Sequence, residues 1–125
     1  PALSQPAALM LPMGRLGPAF LAFPNFKTLF QWNASLNNAL TVGYFASRIK
    51  DPSLAPMSRG RGQAEVLTKS ELTELQNLLA KKGYEVGKID GFLGTQTRAA
   101  TQSVQLKLGL PADAYPTREV LNKLR

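Results

Sequence analysis

The stretch KIDGFLGTQTRAA, residues 88–100, most narrows what this chain can become. Asp90-Gly91 and Gly94 interrupt an otherwise helical pattern, and Thr95 and Thr97 precede an Ala-rich helix. Glycines at such points let the backbone turn tightly. Three readings compete: a catalytic loop, a metal loop, or a turn that builds a small helical unit. A calcium loop needs oxygen ligands at alternating positions, and no Asp-x-Asp series surrounds Asp90. Gly91 and Gly94 lack phosphate-loop spacing. The chain has no histidine and no cysteine. Serine nucleophiles therefore have no imidazole partner, and thiolate sites are excluded. No metal or cofactor is expected. The turn reading remains, with Asp90 accepting backbone N–H bonds and Thr97 bonding within the loop or to a ligand.

Around that turn, residues 66–125 read as a compact unit of three helices. Thr68 with Glu71 forms a capping box. Leu72, Leu75, Leu78 and Leu79 make an inner face, and Gly83 ends the helix. A second helix is predicted from about Thr95 to Leu108, with Ala100, Val104, Leu108, Thr97 and Thr101 on one side. Gly109 stops it. LPADAYP is a second turn, and Thr117 caps a short third helix carrying Val120, Leu121 and Leu124. A faint echo links the halves of this unit. Leu75-Gln76 precedes Gly83 and Asp90, and Val104-Gln105 precedes Gly109 and Asp113. The spacings differ, so both repetition and coincidence stay open.

The first half is organised differently. Pro1, Pro6, Pro12, Pro18 and Pro24 rule out a long helix over residues 1–24. AFLAF, residues 19–23, suits one strand or a buried extended segment. Asn25 caps a short helix through Trp32, and Ser35 caps another over residues 36–49. The latter is apolar almost all round, which normally means burial on several sides. About 50 residues bury too little surface to surround it. Residues 1–50 are therefore expected to dock into protein absent from this chain, as the incomplete end of a larger domain. Residues 51–65, rich in Pro, Gly, Ser and Arg, read as a linker or surface strap.

The net charge of +7 divides unevenly. Residues 1–63 hold six Lys/Arg against Asp51 alone, and residues 64–125 hold nine against seven acids. A basic balance suits nucleic acid, a membrane surface or a bacterial wall polymer, or serves solubility. The basic residues form no run and carry no interleaved aromatics, so nucleic acid is not expected as a partner. No apolar run approaches the ~18 residues of a membrane span. The start at Pro1 lacks the basic and unbroken apolar segments of a signal peptide. It reads as a processed chain or a piece of something longer.

Leu75-Gln76, Gly83-Tyr84, Asp90-Gly91, Gly94, Thr97, Gln105 and Gly109-Leu110 together resemble the peptidoglycan-binding module of bacterial wall enzymes. Where that family usually has Phe before the second Gln, Val104 stands here; where its second turn has Asp-Gly, here it is Asp113-Ala114. The first half resembles the end of the catalytic domain of B-type lytic murein transglycosylases. The residues that carry this are Gly17 to Leu21, Asn25-Phe26, Trp32-Asn33-Ala34-Ser35 and the helix to Ile49. These resemblances imply a mainly α chain: the end of an α-rich lysozyme-like domain, a linker, and a three-helix module. They imply that Trp32 and Asn33 line a glycan cleft, while Asn38 stands where the family often has a further aromatic. On the module, Tyr84, Asp90, Thr97 and Arg98 are the candidate contacts to glycan or stem peptide. Packing is the competing role for Tyr84, turn structure for Asp90, and a solvated helix face for Arg98.

The implied family cleaves the MurNAc–GlcNAc bond without water. A single Glu protonates the leaving oxygen and the sugar's own hydroxyl closes a 1,6-anhydro ring. That Glu lies upstream of anything resembling residues 1–50, so no catalytic residue is assigned here. Asp51, flanked by proline in the linker, lacks the shielding a general acid needs. The glutamates of residues 64–125 sit on or beside solvated faces. The expected partners are peptidoglycan glycan strands, stem peptides and the missing catalytic portion, as the same or another chain. The expected location is periplasmic or outer-membrane-associated in a Gram-negative bacterium. The alternative is a non-catalytic wall-binding or anchoring protein; a nucleic-acid-binding domain rests on charge alone.

Overall fold

The computed structural model describes residues 4–32 and 35–125. Two short strands, β1 (Ala8–Met10) and β2 (Phe20–Ala22), come first. Among the described residues five helices follow: α1 (Phe26–Trp32), α2 (Leu36–Lys50), α3 (Lys69–Lys81), α4 (Thr95–Lys107) and α5 (Arg118–Leu124).

The strands pair antiparallel, with Leu9 opposite Leu21 and Met10 opposite Phe20. The expected extended segment at residues 19–23 is therefore a strand, but Leu21 and Leu9 face outward rather than into a core. The segment between them turns through Gly14, whose φ is +73°. Ser35 caps α2 by accepting from the Asn38 amide. Only Ala39 and Leu40 of α2 are buried. Asn38, Val42, Phe45 and Ile49, spaced four, three and four apart, lie on one exposed face, with Phe45 and Ile49 66% and 67% exposed.

Residues 51–65 cross the surface as a strap. Met57 N donates to Tyr44 Oη at 3.2 Å. The amides of Arg61 and Gly62 both donate to Leu16 O, at 2.8 and 3.1 Å. The Arg48 guanidinium donates to Leu54 O.

Helices α3, α4 and α5 close a continuous core of Leu67, Leu75, Leu79, Val86, Ala100, Val104, Val120, Leu121 and Leu124. Each fully buried leucine contributes roughly 1.5–3 kcal/mol over its exposed state. Leu108 differs from expectation. It ends α4 as the C-cap residue and is 36% exposed, because the chain has begun to turn into Gly109 (φ +66°). Thr68 and Glu71 form the reciprocal capping box, with Thr68 N to Glu71 Oε2 at 2.7 Å. That backbone bond, then Arg118, hold the Glu71 carboxyl below its ordinary range. Arg118 also binds Glu65 at 2.9 Å, and Arg125 binds Glu74 at 2.8 Å, lacing α5 to the start and middle of α3.

Candidate functional site

The loop between α3 and α4 is built around the side chain of Gln76, which is buried. Its Oε1 accepts from the amides of Asp90 (3.1 Å) and Gly91 (2.9 Å). Its Nε2 donates to Lys88 O, Phe92 O and Thr97 Oγ1 at 3.0–3.2 Å. Asp90 Oδ1 accepts from Phe92 N at 2.9 Å, closing an Asx turn. Gly91 has φ +73°, and a Cβ there would lie 2.7 Å from Lys69 O, so no larger residue fits without displacement.

The second turn repeats this device. Gln105 Oε1 accepts from Ala114 N at 3.0 Å, and its Nε2 donates to Asp113 Oδ1 and Tyr115 O. Asp113 Oδ1 accepts from Tyr115 N at 3.1 Å. Ala114 occupies the place of Gly91 and has φ +60°. The Gln-to-Asp echo in the sequence is thus one structural device used twice. The spacing differs in two places: the glutamine stands seven residues before the glycine in the first half and four in the second, and the glycine stands seven and four residues before the aspartate.

The expected contact residues fall in different settings. Asp90 is exposed, with one carboxylate oxygen committed to the turn. Thr97 requires a correction. It is 1% exposed, its hydroxyl donates to Val86 O at 3.0 Å and accepts from Gln76, so it belongs to the loop's interior and presents nothing to a ligand. Tyr84 is half-buried against the core, with Lys107 Nζ 5.0 Å from its ring centroid. Trp32 is 78% exposed at the end of α1. Asn33 lies outside the described residues.

Arg98 is not on a solvated helix face. It is half-buried, and its Nη2 donates to Pro12 O of the first half at 2.9 Å. Its buried Nε has no hydrogen-bond partner among the described residues. Burial pushes the guanidinium below its ordinary value, and nearby Tyr115 acts in the opposite direction. The side chain stays charged throughout the accessible pH range. A second contact between the halves lies beside it: Arg15 N donates to Asp113 Oδ2 at 2.9 Å. Gly14 packs on Asp113 and Tyr115 so closely that a Cβ would come within 2.9 Å of both. Sequence reading missed this seam because its partners lie 86 and 98 residues apart. Along it opens a cleft of about 700 Å³, with Leu40, Thr41 and Tyr44 of α2 on one wall and Phe92, Leu93 and Arg98 on the other.

Residues 68–124 match the family described as "Putative peptidoglycan binding domain", and residues 1–47 match the "Transglycosylase SLT domain". The chain thus combines part of a lysozyme-like transglycosylase domain with a peptidoglycan-binding domain. Each match is a likeness of one part of the chain and spans less than half of it. Two crystal structures of SltB3 from Pseudomonas aeruginosa, one with NAG-anhNAM-pentapeptide and one with NAG-NAM-pentapeptide, are 38% identical to it. They superpose with TM-scores of 0.73 and 0.74 over 97% of this chain, which spans 32% of theirs. A 68-residue stretch is 43% identical to the "Putative OxPP cycle protein OpcA" of Nostoc punctiforme, covering 54% of this chain and 15% of that protein.

Proposed function

We propose that residues 66–125 hold peptidoglycan and that residues 1–50 form the end of the cleft in which a lytic transglycosylase cleaves MurNAc–GlcNAc bonds to 1,6-anhydro products. The match of residues 68–124 to the peptidoglycan-binding domain carries the binding half of this reading. The loop framed by Gln76 supplies a rigid surface for it, with Tyr84 and Asp90 beside that loop as the candidate contacts. The SLT match, and the similarity to SltB3 crystallised with peptidoglycan fragments, support the catalytic half.

In this reading Trp32 and Asn33 line the glycan cleft. The acid comes from elsewhere, since residues 1–50 contain no Asp or Glu. A transglycosylase needs a shielded carboxyl to protonate the leaving oxygen. The partners are glycan strands and stem peptides, together with the remaining part of the SLT domain. The location is the periplasm or the outer membrane of a Gram-negative cell.

The test is co-sedimentation of the chain with purified peptidoglycan, with analysis of the soluble products. Retention at physiological salt without release of anhydro-muropeptides is expected. Exposed charge attraction alone is screened over about 8 Å at that ionic strength. Loss of all binding at physiological salt would leave only basic adhesion, and anhydro products from this chain alone would refute the assignment of the acid.

A further inference from the structure

The cleft along the seam has an electrostatic imbalance. Arg98 is its only charged lining residue, and no carboxylate faces it among the described residues. The guanidinium has five N–H donors. One group of them meets Pro12 O, and the buried Nε meets nothing among the described residues. Burying a cation without a counter-charge is costly unless something pairs it. Pairing with a carboxylate is what guanidinium geometry favours, through two parallel bonds. The remaining surface is largely apolar, with Leu40 and Leu93 on opposite walls. Along α2, the Thr41 hydroxyl donates to Asn37 O and the Tyr44 phenol accepts from Met57 N, which leaves Thr41 able to accept and Tyr44 able to donate to a ligand's amide groups. At about 700 Å³ the cleft lies within the range of about 300–1,000 Å³ typical of small-ligand sites.

We infer that this cleft is a carboxylate site, in which Arg98 seats the free C-terminal carboxylate of a short peptide with small apolar side chains. The identification of that peptide with a peptidoglycan stem rests on the function proposed above; the site itself does not. The site is distinct from the exposed face of the Asp90 turn, because its second wall comes from α2 and residues 12–20 rather than from the module.

The probe is N-acetyl-D-alanyl-D-alanine, compared with its C-terminal amide and with octanoate. Binding to the full chain is followed by amide chemical shifts. The acid is expected to move Phe92, Leu93 and Thr41, and to bind about tenfold or more tighter than the amide. Arg98→Met should erase the difference between acid and amide, and Arg98→Lys should restore part of it. Lys123→Ala, an exposed change far from the seam, should leave it intact. Since Arg98→Met also removes the bond to Pro12, Thr41→Trp serves as a second variant. It fills the cleft from the other wall with Arg98 in place, and should abolish probe binding.

Equal affinity for acid and amide, or shifts confined to other surfaces, would overturn the site. Tighter binding of octanoate than of the peptide acid would overturn the peptide class. Failure of the two readings is separable. If the wild-type chain is retained on peptidoglycan but shows no acid-over-amide preference, the cleft inference fails alone. If the acid binds in the cleft but peptidoglycan is not retained, the site stands and the wall-binding function falls.

Discussion

The two parts of this chain use similar residues to opposite ends. In residues 66–125 the leucines and valines of three short helices meet one another, and the polar groups that enter with them are bonded: Gln76, Thr97, Thr101 and Gln105 are all buried and all have partners. In residues 4–50 much of the apolar surface of α2 and of the strand pair stays open. Val42, Phe45 and Ile49 share an open face, and Leu9 and Leu21 share another. Periodicity alone does not distinguish these cases. What separates them is whether a second and third element return within reach, and after α2 the chain leaves as a strap.

The largest effect should come from truncating an apolar side chain in each part. Leu79→Ala is expected to destabilise the chain by about 4 kcal/mol, through lost transfer energy and the cavity left behind. Phe45→Ala should change stability by about 0.5 kcal/mol or less, as exposed positions do. Urea unfolding midpoints measure both. A comparable loss at Phe45 would mean that α2 has a covered face in solution, and the contrast would collapse.

A smaller effect, within the closed part, separates framing from filling. Gln76→Ala should cost about 3 kcal/mol, since it leaves several loop amides and carbonyls without partners. Gln105→Ala should cost less, because it frees fewer groups. Equal losses would show that the two turns depend on their glutamines alike.

The smallest contrast lies between the residues at the turn apices. Gly91→Ala should cost about 2 kcal/mol, from a left-handed φ and the closeness of Lys69 O. Ala114→Gly should gain about 0.5 kcal/mol. It relieves about 1–2 kcal/mol of left-handed strain but adds roughly 0.4–1 kcal/mol of unfolded-state entropy. Thermal midpoints of the two variants should therefore move in opposite directions.

These features were unequally readable beforehand. The capping box at Thr68, the stops at Gly83 and Gly109 and the cap at Thr117 are local, and each is where its residue type places it. The Gln76 and Gln105 echo was visible as letters, but its meaning lies in which backbone groups a buried amide can reach. Thr97 misled because threonine reads as polar and available, whereas here its hydroxyl links two parts of the loop. The β1–β2 pairing and the Arg98–Pro12 contact could not be read, since nothing local to Met10 or Arg98 names a partner so distant in the chain.

The bonds from Gln76 have a consequence for how this loop can change. They run to main-chain atoms of Lys88, Asp90, Gly91 and Phe92, and to Thr97, so they fix the path of the loop without reference to the side chains it carries. Ile89 and Phe92 stand outward from that path, 44% and 65% exposed. Shape and display are thereby decoupled. New side chains at Ile89 and Phe92 would meet a backbone already held in place, so the loop's outer surface could be changed without being rebuilt.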